Sequence, residues 1–318
     1  MTAVPEIEIL LATYNGEKYL DEQLASLFGQ AWANWRLLVH DDGSTDCTLA
    51  IVRHYQQIYP EKIIILNDAG SRLGSCKNFG LLLENSSAPY IMFCDQDDIW
   101  LPGKIEMTVK KMAEMTDLYG SDVPMLVYSD MKIVDKHLNV KSRSFWRSQS
   151  FNPRTGKKLN RLIVSNVING STVMINRKLR DLSLPFPDEA LMHDWWVGLV
   201  AVALGKTEYI AEPTVLYRQH EENVVGAKWE MSFSYWTEQI RHFNLVKTGH
   251  KKFIVKTQQQ AGALAARFGS RMLGRDAETA TTYAALDSYQ YSAKRLLMIK
   301  FGFWGSGLIR NAVLFSII

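Results

Sequence analysis

The sequence predicts an α/β protein in which a mostly parallel sheet is flanked by helices and is followed by an α-helical C-terminal region. Short apolar runs alternate with segments of helical periodicity through residues 1–100, and strand-like runs become rare after about residue 228. This alternation is typical of right-handed βαβ units. With 318 residues, of which 47% are hydrophobic, the chain is long enough to bury one large core.

The first four strands are predicted from apolar runs at residues 7–12, 35–40, 62–66 and 88–94. Apolar residues at helical spacing predict the intervening helices, at residues 19–30, 48–59 and 74–84. Polar clusters follow three of these strands, at residues 13–15, 41–42 and 95–98. Because ligands of such proteins bind beyond the carboxyl ends of the parallel strands, the sequence predicts a binding site at that edge.

The later elements have shorter signals. Strands are predicted at residues 125–128, 170–175 and 207–210, and a helix is predicted from His193 to Gly205. Long helices are predicted at residues 233–246 and 253–268. We place a domain boundary near residue 225, where strand signals give way to helical ones.

The composition argues against several classes of protein. A formal net charge of +3 and the lack of a nucleic-acid-binding motif indicate no nucleic acid partner. Cys47, Cys76 and Cys94 lack zinc-site spacing, and three scattered cysteines are typical of free thiols in a reducing compartment. The first residues have no basic stretch followed by a long apolar run, so we expect no signal peptide and a cytoplasmic protein.

An acidic cluster follows the fourth predicted strand, with three carboxylates in the four residues Asp95-Gln96-Asp97-Asp98. Like charges this close are best tolerated where a cation or a shared proton neutralises them. Oxygen ligands suit Mg²⁺ or Mn²⁺, which also bind phosphate oxygens. The alternative is an acidic turn that caps the helix beginning near Pro102.

Four motifs succeed one another within residues 1–225. They are Tyr14-Asn15-Gly16, Asp41-Asp42-Gly43-Ser44, Asp95-Gln96-Asp97-Asp98 and His193-Asp194-Trp195-Trp196. Together they resemble the motifs of family 2 glycosyltransferases, which have the Rossmann-like GT-A fold. The segment Tyr217-Arg218-Gln219-His220 further resembles the branch that contains bacterial polysaccharide rhamnosyltransferases. The resemblance implies a nucleotide-binding half at residues 1–100, an acceptor-binding half at 101–225, and a separate helical region at 226–318.

The resemblance also implies how a nucleotide-sugar donor is bound. Asp42 would accept hydrogen bonds from the N–H of a pyrimidine base, with the backbone near Ala12 and the Tyr14 ring beside that base; alternatively, its turn only caps the next helix. Arg72 and Lys77 are candidates for the diphosphate, although basic residues are commonplace in surface loops. The residues predicted to contact the donor are Ala12, Tyr14, Asn15, Asp42, Arg72, Lys77, Asp95 and Gln96.

Two residues are predicted to hold the metal ion, Mg²⁺ or Mn²⁺. Asp97 aligns with the last carboxylate of the family's DxD motif and is the predicted direct ligand, whereas Asp95 contacts the ribose or reaches the ion through water. His220 is a further ligand or diphosphate contact, or else a structural residue. A bound ion would neutralise charge on the departing nucleoside diphosphate.

Asp194 is the predicted catalytic base, which would remove the proton of an acceptor hydroxyl during an inverting attack. Neighbouring tryptophans could raise its pKa, and the alternative role is a cap at the start of a helix. The residues predicted to line the donor-sugar and acceptor pocket are Ser129, Asp130, Gly170, Ser171, Trp195, Trp196 and Arg218. Ordinary strand-end turns and core packing are the alternatives for these segments.

The resemblance favours transfer of L-rhamnose from dTDP-rhamnose to a polyprenyl-diphosphate-linked precursor of a bacterial surface polysaccharide, such as an O-antigen or a capsule. A donor of the UDP-hexose or UDP-N-acetylhexosamine type is the first alternative. A catalytically inactive nucleotide-sugar-binding scaffold is the second. A nucleotidyltransferase is disfavoured because no Gly-rich, basic phosphate loop follows the first predicted strand.

Residues 294–318 combine basic residues with Phe, Trp and Leu, and three glycines interrupt them. This pattern is typical of an amphipathic segment at a lipid surface, so we expect peripheral attachment to the inner face of the cell membrane. The alternative is a helix that covers the core or forms a homo-oligomer.

Overall fold

The computed structural model describes residues 6–66, 72–221 and 243–318. Their strands form one sheet, in which the pairing runs mostly parallel, as predicted. The strands are β1 (Ile7–Thr13), β2 (Trp35–Asp41), β3 (Ile63–Ile65), β4 (Tyr90–Cys94), β5 (Ile99–Trp100), β6 (Met125–Asp135), β7 (Val140–Ser142), β8 (Met174–Asn176) and β9 (Lys206–Gln219).

Helices flank this sheet and make up most of the C-terminal region. They are α1 (Leu20–Phe28), α2 (Thr48–Ile58), α3 (Ser75–Glu84), α4 (Lys104–Tyr119), α5 (Phe145–Ser148), α6 (Leu159–Leu162), α7 (Arg177–Ser183), α8 (His193–Leu204), α9 (Phe243–Phe268), α10 (Asp276–Ala284), α11 (Tyr291–Phe301) and α12 (Leu308–Ile317). The proposed boundary near residue 225 and most of the helix predicted at 233–246 lie outside the described residues.

The strand order explains where the polar clusters meet. It is β3-β2-β1-β4-β8-β6-β9-β5, with β7 beside β6. β1 lies parallel to both β2 and β4, and β6 lies parallel to β9, whereas β8 runs antiparallel between β4 and β6. The carboxyl ends of β1, β2 and β4 are therefore neighbours, and the loops that follow them form one edge of the sheet.

Apolar side chains are buried on both faces of the sheet. Successive residues of a strand point to opposite faces. Accordingly, Leu10 and Phe93 pack on the face that is covered by α3 and α8, while Ile9 and Met92 pack on the face covered by α1 and α4. Burial on both faces explains why these strands are continuous apolar runs in the sequence.

The C-terminal helices extend the core on the α8 side. Leu264 of α9, Tyr283 of α10 and Met298 of α11 are buried in the same cluster as the apolar residues of α8. Phe303 and Ile318, which lie before and after α12, are buried there too. None of the helices within the described ranges is both long and apolar enough to cross a lipid bilayer.

One prediction about local structure is wrong, and one alternative is excluded. Residues Gly170–Thr172 form a 3₁₀ turn instead of the start of a strand, because the Asn169 side chain accepts a hydrogen bond from the Ser171 N–H (3.1 Å) and caps the turn. Asp98 does not cap a helix, since α4 begins only at Lys104.

Candidate active site

The loops after β1 and β2 are joined by side-chain hydrogen bonds. Thr13 donates to the Asp41 carboxylate (2.8 Å), and the Asn15 N–H donates to Ser44 Oγ (2.8 Å). Asn15 Oδ1 accepts from the Thr45 N–H (2.9 Å), and its φ of +46° lies in the left-handed region that Asn tolerates. Asn15 therefore connects the two loops through its own backbone and side chain.

Three predicted donor residues lie together at this edge. Asp42 is buried and accepts hydrogen bonds from the N–H groups of Leu73 (2.6 Å) and Gly74 (2.8 Å). The Arg72 guanidinium lies 4.0 Å from Asp42 and 3.7 Å from the centre of the Tyr14 ring. A carboxylate has about four acceptor positions. Asp42 can therefore accept further hydrogen bonds beside the aromatic face.

Ala12 and Lys77 occupy different surroundings. Ala12 is partly buried at the carboxyl end of β1, where it is paired with His40 in the sheet. Lys77 lies on α3 and forms an exposed ion pair with Asp188 (2.9 Å). Since exposed ion pairs contribute only about 0–1 kcal/mol, this contact does not prevent Lys77 from binding another anion.

Gln96 is bound to the backbone of the β1 loop. Its Oε1 accepts from the Tyr14 N–H (2.8 Å), and its Nε2 donates to the Tyr14 carbonyl (2.9 Å). A Cβ at Gly16 would lie 2.3 Å from Gln96 Oε1, so the close approach requires glycine there. Contrary to the prediction, Gln96 uses both polar atoms to fasten the acidic cluster to this loop instead of presenting them to a donor.

The acidic cluster brings together two residues that are far apart in the sequence. Asp97 Oδ2 lies 2.9 Å from His220 Nε2, and the His220 ring packs 4.6 Å from the ring of Tyr19. Burial, followed by the nearby charges of Asp97 and Asp194, raises the pKa of Asp95 to about 7. Burial and the neighbouring carboxylates thus both favour the protonated form of Asp95.

Asp97 and His220 have the chemistry of a divalent-metal site. Within residues 6–66, 72–221 and 243–318, no three His, Cys, Asp or Glu side chains converge on one position. Mg²⁺ and related ions commonly bind one or two protein ligands together with water and phosphate oxygens. One carboxylate and one imidazole nitrogen, beside an acidic residue with a raised pKa, therefore fit such an ion with coordination positions left open.

Arg218 is a buried anchor for the acidic cluster. Its side chain donates to the Asp97 carbonyl (3.0 Å) and the Lys136 carbonyl (3.1 Å), and it pairs with Glu22. Its N–H donates to Asp98 (3.1 Å), a fully buried carboxyl whose pKa is held well above its usual range by burial and by the other two aspartates. The guanidinium is buried and bound within the protein, so the geometry does not support the predicted contact between Arg218 and a sugar.

Asp194 lies in the first turn of α8, where a negative charge interacts favourably with the helix dipole. One carboxylate oxygen accepts from the Gly170 N–H (2.8 Å), and the other accepts from the Trp195 N–H (2.6 Å). Burial raises its pKa to about 7, although these hydrogen bonds oppose the shift. A Cβ at Gly170 would lie 2.6 Å from His193 Nε2, so only glycine fits beside Asp194.

The two tryptophans after Asp194 belong to the core. Trp195 Nε1 donates to the Leu162 carbonyl (2.7 Å), and Trp196 Nε1 donates to the Ser183 carbonyl (2.8 Å). Both side chains are buried because helix α8 is covered nearly all round. The geometry therefore does not support the predicted place of Trp195 and Trp196 in an acceptor pocket.

The predicted pocket residues Ser129, Asp130 and Ser171 are also buried and bound within the protein. Ser129 Oγ lies 2.5 Å from Thr214 Oγ1, and Asp130 accepts a hydrogen bond from Ser144. The Ser171 hydroxyl donates to the amide oxygen of the residue two positions before it (2.8 Å). These hydrogen bonds position loops, so the predicted substrate contacts of these three residues are not supported by the geometry.

Lys104 is a buried residue of the site that the sequence reasoning missed. Its ammonium donates to the Ser171 carbonyl (2.8 Å) and lies 4.4 Å from the Trp100 ring. Burial lowers its pKa to about 7, against the opposing effects of Cys94 and Asp98. Lys104 thus connects α4 to the 3₁₀ turn that holds Asp194. Lysine is usually exposed, and only its position just after the acidic cluster could have indicated this role.

We predict that Lys104→Met lowers kcat more than it changes donor affinity. The substitution leaves the Ser171 carbonyl without its charged donor, which costs about 1–3 kcal/mol of unfolding free energy and loosens the turn beneath Asp194. Chemical denaturation and steady-state kinetics measure the two effects. Lys110→Met is the matched control, since Lys110 is exposed on the same helix. Equal effects of the two substitutions would contradict this role.

The sequence of this chain is similar to those of known glycosyltransferases. The model of glycosyl transferase family 2 matches residues 8–181, more than half of the chain. The dTDP-rhamnosyl transferase RfbG of Shigella flexneri is 33% identical over 231 residues, which cover 71% of this chain and 76% of that protein. The UDP-Glc:alpha-D-GlcNAc-diphosphoundecaprenol beta-1,3-glucosyltransferase WfgD of Escherichia coli is 31% identical over 117 residues, 36% of this chain and 45% of that protein.

Solved structures share the fold. S. aureus TarS 1-349 in complex with UDP-GlcNAc has a TM-score of 0.57 at 16% identity, over 93% of this chain and 80% of that chain. The mannosyltransferase PcManGT from Pyrobaculum calidifontis, in complex with GDP-Man and Mn²⁺, has a TM-score of 0.54 at 18% identity, over 99% and 88%. The sequence match and the shared architecture agree: this chain belongs to glycosyl transferase family 2 and has the GT-A fold.

Proposed function

We propose that this protein transfers L-rhamnose from dTDP-rhamnose to a lipid-linked precursor of a bacterial surface polysaccharide, with inversion at the anomeric carbon. The donor assignment is supported by the relative that is named a dTDP-rhamnosyl transferase, with 33% identity over 71% of the chain. UDP-hexose and UDP-N-acetylhexosamine are the alternative donors. Names of other relatives and neighbours contain UDP-Glc and UDP-GlcNAc.

The observation that supports a catalytic function is that the Tyr14 loop connects the predicted nucleotide-binding residues to the acidic cluster at one edge of the sheet. The Tyr14 ring packs against Arg72, which lies beside Asp42. The Tyr14 backbone is hydrogen-bonded to Gln96, which precedes Asp97. In our proposal, Asp42 accepts from the nucleobase N–H, Tyr14 packs on the base, and Arg72 turns from the Tyr14 ring to the diphosphate. A scaffold that only binds nucleotide sugars would not need a poised base such as Asp194.

Asp97 and His220 are the proposed holders of Mg²⁺ or Mn²⁺, with Asp95 beside them. When bound there, the ion neutralises negative charge on the diphosphate leaving group. The chain's own contribution is to position these residues, and Arg218 holds Asp97 by donating to its carbonyl from within the core. Asp97 and Asp194 lie close enough to Asp95 to contribute, after burial, to the rise of its pKa.

Asp194 is the proposed base. The N–H groups of Gly170 and Trp195 fix its carboxylate, and each oxygen retains an acceptor position for an acceptor hydroxyl. A pKa near 7 lets the group ionise at neutral pH while staying basic enough to take a proton. Attack by that hydroxyl opposite the leaving diphosphate requires no covalent intermediate on the protein and inverts the anomeric configuration.

The proposed acceptor is a glycan linked to a polyprenyl diphosphate, at the inner face of the cell membrane. The name of one relative contains a diphosphoundecaprenol-linked sugar as the acceptor. Since the polyprenyl chain of such a molecule stays in the bilayer, transfer requires the active site to work close to a lipid surface. We assign donor binding to residues 1–100, acceptor binding to 101–225 and membrane proximity to 226–318.

A donor screen tests the proposal. Purified protein is given dTDP-rhamnose, UDP-glucose, UDP-N-acetylglucosamine or GDP-mannose, with lipid-linked acceptors from bacterial membranes, and the release of nucleoside diphosphate is measured. We expect release with dTDP-rhamnose that depends on the acceptor. Turnover of a UDP-sugar alone would replace the donor assignment, and binding of donors without any turnover would favour the non-catalytic scaffold.

A further inference from the structure

The helix that carries Asp194, α8, follows a residue that cannot cap it. This residue, Met192, has an apolar side chain without an oxygen that could accept from the first turn. The buried His193 ring stacks 3.8 Å from the Phe79 ring, and neither of its nitrogens has a hydrogen-bond partner within the described ranges. Many helices are fixed at this end by a Ser, Thr, Asp or Asn side chain. The start of α8 therefore depends on polar contacts from other elements.

Helix α9 supplies such a contact through Gln260. The Gln260 side chain is fully buried, and its Oε1 accepts from the Leu191 N–H (2.9 Å), shortly before α8 begins. Burying a polar side chain costs free energy unless the group is hydrogen-bonded. The Nε2 of Gln260 has no partner in the described part of the chain, so the bond to Leu191 is the one that offsets this cost.

Gln260 belongs to a row of contacts along one face of α9. Phe253, Gln260 and Arg267 follow one another at intervals of two helical turns, so their side chains share a face. The Phe253 ring lies 5.8 Å from the Trp195 ring, and Arg267 donates to the Pro185 carbonyl (2.6 Å). Helix α9 therefore runs in the opposite direction to the segment that leads into α8, and it contacts residues before and after the proposed base.

The contacts that helix α3 makes with the same segment are weaker. Asp188 and Lys77 form an exposed ion pair (2.9 Å), and the Cys76 thiol lies 3.7 Å from the Ala190 carbonyl. Exposed ion pairs contribute little, and a thiol is a weak donor. The buried hydrogen bond of Gln260 is therefore a stronger polar restraint on the entry to α8 than the contacts from α3.

We propose that Gln260 is a positioning residue of the transfer reaction. By holding the Leu191 N–H, it fixes the start of α8 and with it the direction in which the Asp194 carboxylate meets the acceptor hydroxyl. A misplacement of about 1 Å between reacting groups can lower a rate about 10²-fold, so such a contact affects chemistry without touching a substrate. The inference rests on the proposed function in one respect, the role of Asp194 as the base. It gives α9 a part in the reaction itself.

Gln260→Met tests the proposal, because the Met side chain is unbranched and its thioether is only a weak acceptor. We expect kcat to fall about tenfold while KM for the donor stays within about twofold, since the change loosens Asp194 and spares the donor contacts at β1 and β2. Gln260→Glu retains an acceptor oxygen in either protonation state, so its kcat should stay within about threefold of the wild-type value. Nucleoside diphosphate release measures both constants.

Amide hydrogen exchange gives a readout that needs no substrate. In the full chain, without a sugar nucleotide, peptides that cover residues 187–196 should exchange faster in Gln260→Met than in the wild type. In Gln260→Glu they should exchange at the wild-type rate. Gln258→Met is the matched control, because Gln258 is also buried on α9 but points to the other side of the helix. It should match the wild type in kcat and in the exchange of these peptides.

The outcomes separate this proposal from the proposed function. Unchanged kcat or unchanged exchange in Gln260→Met, an equal loss in Gln258→Met, or a Gln260→Glu variant as slow as Gln260→Met would each overturn the positioning role. Thermal melting monitors every variant, and Gln260→Ala replaces the methionine variant should that variant fail to fold. Turnover retained in Asp194→Asn would instead overturn the base assignment, and the exchange comparison would still decide whether Gln260 holds the segment.

Discussion

Asp194→Asn is expected to reduce sugar transfer by about 10³-fold or more while donor affinity stays within a few-fold of wild type. General-base catalysis contributes about 10²–10⁴-fold, and the amide cannot accept the proton of the acceptor hydroxyl. Turnover is measured by nucleoside diphosphate release, and donor affinity is measured by calorimetry. Retained turnover would exclude Asp194 as the base.

The structure defines the controls for this experiment. Asn has one acceptor oxygen, so one of the N–H groups of Gly170 and Trp195 loses its partner, at a cost of about 1–3 kcal/mol of unfolding free energy. A thermal melt separates this cost from the loss of chemistry. Asp181→Asn is the matched control, since Asp181 lies on the exposed side of α7 in an ion pair with Arg180.

The pH dependence of the wild-type enzyme follows from the same carboxyl. Its pKa is raised from 3.8 to about 7, so kcat/KM should rise with pH up to about 7 and then level off, as the carboxylate form accumulates. Between these values the folded chain binds more protons at Asp194 than the unfolded chain does. Its contribution to the free energy of unfolding therefore falls as the pH rises from about 4 to 7.

Asp97→Ala is expected to weaken metal-dependent donor binding by about 10-fold or more and to remove most of the turnover. Loss of a ligand leaves His220 as the single protein ligand that we propose, and the diphosphate then loses its neutralising partner. Donor affinity is titrated with Mg²⁺ or Mn²⁺ present and again in chelator. The two conditions should differ strongly for the wild type and little for the variant.

Two further variants sharpen the test of the metal ligands. Asp117→Ala removes an exposed carboxylate from α4 and should behave as wild type. If Asp97 and His220 bind the same ion, then His220→Ala added to Asp97→Ala should cost much less than it does alone, because residues that act together are not additive. Full wild-type activity in chelator would contradict the metal assignment.

The N-terminal half of the fold could be predicted well from the sequence. β1, β2 and β4 are buried on both faces, so each is a continuous apolar run in the sequence. The polar residues that follow each run mark the edge of the sheet where ligands are expected to bind. The strand β8 was misplaced because Gly170 and Ser171 lie in a turn that is capped by one local side chain, which an apolar pattern does not reveal.

The candidate site could be predicted in part. Motif positions indicate Asp97 and Asp194, which remain the proposed metal ligand and base, but a motif does not show which polar side chains already form hydrogen bonds within the protein. Arg218 and Gln96 looked available because their partners are more than 80 residues away in the sequence. Lys104 was missed because a lysine ammonium group is usually exposed to water. The sequence does not show that the Ser171 carbonyl accepts its hydrogen bond.

In the proposed binding mode, the double hydrogen bond between Gln96 and the Tyr14 backbone would link nucleotide recognition and ion recognition thermodynamically. A base packed on Tyr14 would then also restrain Asp97, which follows Gln96 in the chain. Linkage is reciprocal, so the factor by which the ion tightens nucleotide binding must equal the factor by which the nucleotide tightens ion binding. Replacing Gln96 would keep the direct contacts of the nucleotide and of the ion. It would reduce the effect that binding of one has on the affinity for the other.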